Sequence, residues 1–101
     1  MHQNSPIQML TETAVQSLKP VRRPRKFSDG GGLYVLVVPT SGRYWRYNYR
    51  FNGRQKTLAL GIYPDVPLDK ARARHREARR LLAAGVDPSL HKLELRRRPI
   101  R

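Results

Sequence analysis

The stretch that decides the fold is Arg43 to Gly61, RYWRYNYRFNGRQKTLALG. Asn52-Gly53 lies in its middle, between two runs in which apolar and polar residues alternate. Both central residues of a type I′ turn need a positive φ, which Asn and Gly tolerate best, so this pair predicts a β-hairpin. Phe51 and Arg54 should then flank the turn.

The same turn predicts which strand residues lie opposite each other, because side chains alternate between the two faces of a strand. One face pairs aromatic residues with apolar or long side chains: Trp45 with Leu60, Tyr47 with Leu58 and Tyr49 with Lys56. The other face carries more polar pairs: Arg46 with Ala59, Asn48 with Thr57 and Arg50 with Gln55. The first face suits packing against a core. The second carries side-chain types that hold phosphates and read base edges, although a solvated face on a half-buried sheet is the commoner reason for such a pattern.

The charge of the chain points to a polyanionic partner. Its 101 residues include 21 Lys and Arg against 7 Asp and Glu, which gives a formal net charge of +14. Nucleic acid is favoured because the basic residues fall within predicted strands and a helix rather than in one tail. A membrane is disfavoured, since no stretch approaches the ~20 apolar residues of a span and the N-terminus lacks a signal-peptide pattern. We therefore expect a cytoplasmic protein with one compact domain.

The residue types that build metal or catalytic sites are scarce and scattered. There is no cysteine, and His2, His75 and His91 lack the spacing of metal ligands. The acidic residues are spread along the chain, and no base is placed beside a serine or tyrosine nucleophile. We therefore predict no metal, no cofactor and no catalytic residue. A small nuclease is a third class of function, which an absence of metal-dependent plasmid cleavage would dismiss.

Before the hairpin, the sequence predicts a short helix and two strands. Thr11, followed by an acidic residue, caps the helix in LTETAVQSL, and Lys26 to Asp29 forms an edge strand. Leu33 to Val38 is apolar and β-branched, as expected of a strand. The length of the turn that follows is ambiguous, so either Tyr34 or Val35 shares a face with the aromatic side of the hairpin.

After the hairpin, Leu68 to Ala84 predicts one long helix that Gly85 ends. Its inner face combines apolar residues with one histidine at helical spacing: Leu68, Ala71, His75, Ala78, Leu81 and Leu82. We interpret His75 as a partly buried structural residue. The elements together predict an α+β fold, with a small three- to four-stranded antiparallel sheet, one long helix packed on one face and a short N-terminal helix.

Two basic segments lie outside the hairpin. Residues 21–26, VRRPRK, are extended because of their proline, and they fit either a phosphate-binding arm or a solvated linker. Arg72, Arg76 and Arg80 repeat at i, i+4 spacing on the long helix. Their mutual repulsion would be relieved either by a phosphate backbone or by solvent.

Several landmarks occur in the order found in a known family. They are Ser28 to Tyr34 (SDGGGLY), Tyr44-Trp45, Leu60 to Pro64 (LGIYP), Ala71-Arg72 and Gly85 to Pro88 (GVDP). Over roughly Leu10 to Ser89 the chain resembles the N-terminal, arm-type DNA-binding domain of phage and genomic-island integrases of the tyrosine recombinase family. It departs from that pattern at Pro67, where the family usually has Ser or Thr to cap the helix.

The resemblance implies an arm-type domain over residues 10–89. The sequence on either side of it predicts a disordered lead over 1–9 and a linker or tail over 90–101. It implies that the polar face of the sheet enters the major groove of double-stranded DNA, at arm-type sites near an attachment site. The residues to which it gives base contacts are Arg46, Asn48, Arg50, Gln55 and Thr57. Those to which it gives backbone contacts are Arg22, Arg23, Arg25, Lys26, Arg43, Arg54 and Lys56.

Full-length members of that family continue into core-binding and catalytic domains, so the resemblance implies a chain that binds DNA and does not cut it. Its implied partners are a full-length integrase and a host DNA-bending protein at the bacterial nucleoid, and we expect the isolated domain to be monomeric. The alternative is a basic RNA-binding module of ribosomal type, which charge does not distinguish. An inward orientation of Trp45 and Tyr47 argues against stacking on single-stranded bases.

Overall fold

A computed structural model describes residues 10–19 and 21–97. Its elements are α1 (Glu12–Gln16), β1 (Arg25–Gly30), β2 (Leu33–Val37), β3 (Arg43–Phe51), β4 (Arg54–Ile62), α2 (Leu68–Ala83) and α3 (Pro88–Arg97). The predicted lead, residues 1–9, lies outside the described residues, as do residues 98–101 of the predicted tail. Helix α3 runs across the predicted boundary between domain and tail at residues 89 and 90.

The four strands form one antiparallel sheet in the order β1-β2-β3-β4, which confirms the predicted α+β fold. The predicted hairpin is β3 and β4. Asn52 and Gly53 both have positive φ, at 52° and 78°, and Phe51 pairs with Arg54 on either side of them. The local turn chemistry therefore sets the register of the central hairpin.

Five of the six predicted cross-strand pairs are confirmed, and the pair of Trp45 with Leu60 is wrong. Trp45 lies opposite Gly61, because a β-bulge between Trp45 and Arg46 adds Leu60 to β4. The residue at 61 has φ of +128°, and a Cβ on it would come within 2.4 Å of Cγ2 of Val66. Glycine therefore permits the bulge, which keeps Leu60 buried while returning β4 to its pairing.

The turn between β2 and β3 decides the question that the sequence left open. Val35 pairs with Trp45, so Val35 and not Tyr34 shares the aromatic side of the hairpin. The turn is closed by hydrogen bonds from Val38 N to Gly42 O at 3.0 Å and from Ser41 N to Val38 O at 2.9 Å. Tyr34 consequently lies on the side of the sheet that carries Arg46.

The core lies between the sheet and α2, with α1 at its edge. Trp45 is completely buried, and its Nε1 donates to Val66 O at 2.7 Å. Helix α2 buries the inner positions Leu68, Ala71, His75 and Ala78 as predicted, whereas Leu81 and Leu82 are half-buried. The predicted structural role of His75 is confirmed, since its Nε2 donates to Gly31 O at 2.8 Å and its ring meets Tyr47 edge-on.

Helix α2 begins without a cap from its own N-cap residue, Pro67. Its capping oxygen comes from α1 instead. Glu12 Oε1 accepts from Leu68 N at 3.2 Å, and Glu12 Oε2 accepts from the hydroxyl of Tyr63 at 2.8 Å. At the other end Gly85 has φ of +80°, as expected for the residue that ends a helix. Thr11 accepts from Ala14 N at 3.0 Å and so caps α1 as predicted.

Candidate nucleic-acid interface

One side of the sheet is covered by α2 and the other side, here called the open face, is not covered by any described element. The alternation of side chains and the observed register define the open face. Its residues are Lys26, Ser28, Tyr34, Leu36, Tyr44, Arg46, Asn48, Arg50, Gln55, Thr57, Ala59 and Ile62. All five residues predicted to contact bases therefore lie together on one surface.

The charge on the open face has a single sign. The four strands contain seven basic residues and one acidic residue, Asp29. Asp29 is buried and accepts from Arg72 of α2 at 2.9 Å, so its charge is neutralised on the helix side of the sheet. The open face keeps Lys26, Arg46 and Arg50, and a polyanion would meet no acidic residue of these strands there.

The centre of the open face is a polar cluster that joins three strands. Asn48 on β3 accepts through Oδ1 from the hydroxyl of Tyr34 on β2, at 3.1 Å, and from the hydroxyl of Thr57 on β4, at 2.8 Å. The main chain is hydrogen-bonded at the same place, since Asn48 N donates to Gly32 O at 2.9 Å. The cluster fixes the position of the Asn48 amide in the middle of the sheet.

The cations of the open face are held by local contacts. Lys26 Nζ lies 5.1 Å from the ring centroid of Tyr34, and the guanidinium carbon of Arg46 lies 6.0 Å from that of Tyr44. Such cation–π contacts stabilise a charge over an aromatic ring. Arg50 Nη2 donates to Gly53 O at 3.0 Å, which draws this side chain toward the hairpin turn. A guanidinium has five N–H donors, so most of those of Arg50 remain available to a ligand.

Comparison with known proteins identifies the family to which the chain belongs. The family model described as the arm DNA-binding domain matches residues 10–94, most of the chain. The chain belongs to the arm DNA-binding domain family. The match begins at the first described residue and ends within α3, and so includes every strand of the open face.

Several relatives of the arm domain are named as integrases. It is 39% identical over 93 residues to the integrase of Enterobacteria phage P4, which covers 90% of this chain and 21% of that protein. It is 40% identical over 81 residues to the prophage integrase IntZ of Escherichia coli K12, covering 78% of this chain and 20% of the relative. The integrase of Shigella phage Sf6 is also 40% identical over 81 residues, covering 79% and 21%. The arm domain spans about a fifth of the length of these curated relatives.

Two of the residues predicted to contact the DNA backbone are engaged on the helix side of the arm domain. Arg43 donates to Val15 O at 3.3 Å and to Leu18 O at 3.2 Å, and thereby holds the end of α1. Lys56 forms an ion pair with the buried Asp87, and this hydrogen bond raises the pKa of Lys56. The structure thus places Arg43 and Lys56 apart from the open face.

Asp87 is the centre of a second polar cluster, which joins the hairpin to the start of α3. Burial by itself raises the pKa of Asp87, but hydrogen bonds from Lys56, Tyr49 and the Ser89 N–H outweigh burial and hold it below its usual range. The hydroxyl of Tyr49 also contacts the hydroxyl of Ser89. This cluster stabilises the fold and lies on the side of the sheet away from Asn48.

Of the five remaining predicted backbone contacts, Lys26 lies on the open face and the other four lie around the margin of the sheet. Arg22 and Arg23 are exposed in the segment between α1 and β1. Arg25 opens β1, and its guanidinium lies 5.2 Å from the ring centroid of Phe27. Arg54 is exposed beside the hairpin turn. These four cations flank the open face and do not lie on it.

Sequence reasoning missed the two tyrosines of the open face, Tyr34 and Tyr44. Tyr34 is the only residue with a polar group in the run LYVLV, which was the available signal that it faces away from the core. Its contribution could be recognised only with the register of β2 against β3, which places it beside Arg46 and Asn48. In the described residues there is no group of His, Cys, Asp and Glu side chains arranged to hold a metal ion, and no described helix is long and apolar enough to cross a membrane.

Proposed function

We propose that the arm domain binds double-stranded DNA by inserting its open face into the major groove of arm-type sites near an attachment site, in support of site-specific recombination. The observation that carries this proposal is the charge of the sheet. The acidic residue of the strands is buried against α2, and the opposite surface keeps Lys26, Arg46 and Arg50. A surface of one sign gains affinity for phosphates by releasing counterions.

The chemistry of the hairpin suits base recognition. Arg46, Asn48 and Arg50 project from β3, and Gln55 and Thr57 project from β4 on the same surface. Two neighbouring strands are about 4.8 Å apart, and the major groove is about 12 Å wide, so a ribbon of this size fits. We therefore assign the sequence preference to these five side chains.

The affinity should come from cations around the hairpin. We assign the phosphate contacts to Lys26 on the open face and to Arg22, Arg23, Arg25 and Arg54 at its margin, because all five side chains are exposed. Arg43 and Lys56 instead hold α1 and Asp87, so we expect their replacement to change stability more than affinity. This assignment divides the twelve residues predicted to contact DNA into three groups, namely base contacts, phosphate contacts and structural residues.

Within a recombination complex, the arm domain would bind DNA without cutting it. Cleavage and strand exchange would belong to a full-length integrase, and a host DNA-bending protein would bring arm sites to the core site, in the bacterial cytoplasm. The names of the relatives, which are integrases, support this role. An absence of plasmid nicking by the purified arm domain, with and without Mg²⁺, is the expected result.

A pair of charge reversals tests the open face directly. Arg46→Glu changes the open face, whereas Arg76→Glu makes the same change on an exposed position of α2, behind the sheet. At matched salt, the loss of affinity for a labelled duplex of about 20 base pairs should be more than about tenfold larger for Arg46→Glu than for Arg76→Glu. Equal losses would contradict the proposal. Competition with structured and single-stranded RNA in the same assay tests the alternative, since RNA that displaces the duplex at equal concentration would favour it.

A further inference from the structure

Among the described residues, the side-chain amide of Asn48 makes hydrogen bonds through its oxygen and not through its nitrogen. Its Oδ1 accepts from Tyr34 and from Thr57, at 3.1 and 2.8 Å. A carboxamide oxygen has two lone pairs, so these two hydroxyls fill its capacity to accept. In the part of the chain that the structure describes, no hydrogen bond is made by Nδ2 of Asn48, whose two N–H donors point away from the hydroxyls.

The neighbours of Asn48 along β3 reinforce this polarity. Arg46 and Arg50 lie two residues away on the same surface. Neither guanidinium has an acceptor. The centre of the open face therefore offers hydrogen-bond donors over residues 46–50 of β3, with the amide of Asn48 as the neutral donor between two charged ones.

We propose that Asn48 acts on DNA as a hydrogen-bond donor only, because two hydroxyls hold its oxygen: that of Tyr34, a positioning residue, and that of Thr57, itself one of the five residues assigned to base reading. This inference rests on the proposed function and specifies how the open face discriminates bases. The favoured base is guanine, because its major-groove edge presents two acceptors, N7 and O6, and no donor. The two-bond pairing of a free carboxamide with adenine is excluded, since it needs the amide oxygen to accept from adenine N6.

A measurement on the free arm domain tests the orientation of the amide without any ligand. In NMR spectra, the Nδ2 protons of Asn48 should give weak or missing cross-peaks to the Tyr34 ring protons nearest the hydroxyl and to the Thr57 methyl group. The reversed amide would bring those protons next to both hydroxyls. Strong cross-peaks to both residues would overturn the inference whatever the DNA experiments showed.

Binding measurements test the donor role on DNA. Duplexes that the wild type enriches from a random pool are remade with one base changed at a time. Each guanine is replaced by 7-deazaguanine, which lacks N7, and each adenine is replaced by purine, which lacks the N6 amino group. Asn48→Asp replaces the donor end by an acceptor at constant size. Ala59→Asp, at an exposed position of the open face to which no base contact is assigned, is the control for the added negative charge. The wild type should lose about tenfold in affinity at one 7-deazaguanine position, which is the size of one good hydrogen bond, and Asn48→Asp should be insensitive to that change. A wild-type loss at a purine position that Asn48→Asp abolishes would overturn the inference.

The positioning role is tested by removing one hydroxyl. Tyr34→Phe frees a lone pair of Oδ1 and lets the amide accept, so the preference for guanine over adenine at that position should shrink by at least about threefold. Tyr44→Phe removes a hydroxyl from the same face that makes no hydrogen bond to Asn48, and it should leave the preference unchanged. Equal effects of the two substitutions would contradict the positioning role.

The failure of this inference is distinguishable from the failure of the proposed function. If the wild type enriches no duplex from the random pool, both the inference and the proposed function are wrong, because there is no base for Asn48 to read. If enrichment occurs and depends on Arg46 while the base analogues and Asn48→Asp show no linked effect, only the donor role of Asn48 falls.

Discussion

Glu12 caps a helix that begins 56 residues further along the chain, because its Oε1 accepts from the backbone N–H of Leu68 at 3.2 Å. Pro67 precedes Leu68 and has no side-chain oxygen to offer. A carboxylate also favours the positive end of the helix dipole. The short helix α1 thus contributes to the start of the long one, although the two are far apart in sequence.

We expect Glu12→Ala to destabilise the arm domain by about 1 kcal/mol, the usual cost of losing an N-terminal cap. Urea unfolding followed by Trp45 fluorescence measures this loss. Thr13→Ala changes an exposed neighbour on α1 and should cost little. Pro67→Ser in the Glu12→Ala background supplies a capping hydroxyl and should recover part of the loss, and no recovery would indicate that Glu12 acts through Tyr63 alone.

The bulge at Leu60 predicts that replacing each of two glycines of the hairpin by alanine destabilises the fold by a different amount. Gly61→Ala combines a left-handed φ with a Cβ 2.4 Å from Val66 Cγ2, and we expect it to destabilise the domain by roughly 2–4 kcal/mol. Gly53 also has a positive φ, but nothing lies within 4 Å of its added Cβ. Gly53→Ala should therefore cost about 1 kcal/mol. Thermal or urea unfolding of both variants measures the difference, and equal costs would contradict the observed packing at the bulge.

Asp87 makes the stability of the fold sensitive to acid. Its pKa is lowered in the folded state, because hydrogen bonds from Lys56, Tyr49 and the Ser89 N–H outweigh the effect of burial. The stabilisation is present above the unfolded pKa of about 3.9 and is lost as pH falls through the lower folded value. Urea midpoints between pH 2 and 7 should fall below about pH 4 for the wild type. Asp87→Asn should be less stable at pH 7 and should lose less on acidification, so parallel curves for the two proteins would contradict this role.

His75 predicts a second, milder pH dependence. Burial lowers its pKa, with Arg79 and Arg76 adding to the effect, while the hydrogen bond to Gly31 and the charge of Asp29 oppose it. The unfolded state then binds the proton more tightly, so this contribution is present above about pH 6.5 and is lost as pH falls through the folded pKa. Stability should decline from about pH 7 to 5 in the wild type and be flatter in His75→Gln. His91→Gln, at an exposed position, is the control and should keep the wild-type slope.

The features that sequence predicted correctly depend on neighbours along the chain. Asn52-Gly53 fixes the turn, and the register of the next residues follows from it until the bulge. The bulge could not be predicted, because it reflects the contact of residue 61 with Val66 in the loop beyond the strand. Within the described hairpin, the pairing expected from strict alternation therefore failed only at Leu60.

The candidate site was predicted as a set of residue types and not as a cluster of contacts. The polar face of the hairpin followed from its register, which is why Arg46, Asn48 and Arg50 were found. The engagement of Lys56 by Asp87 joins residues 31 apart, and the contact of Tyr34 with Asn48 required the unknown length of a turn. Such contacts depend on tertiary packing, which periodicity and charge do not report.

The most direct test of DNA recognition by the open face is a salt titration of the wild type, Arg46→Ala and Arg50→Ala on a duplex of about 20 base pairs from beside an attachment site, with a shuffled duplex as control. With about five phosphates neutralised, the logarithm of the affinity should fall with the logarithm of the salt concentration at a slope near −5. The wild type should prefer the attachment-site duplex, and each substitution should remove roughly 1–3 kcal/mol of that preference. If both substitutions weaken the two duplexes equally, or leave binding unchanged, the open face does not read bases, and the cations at its margin become the better candidates for DNA contact.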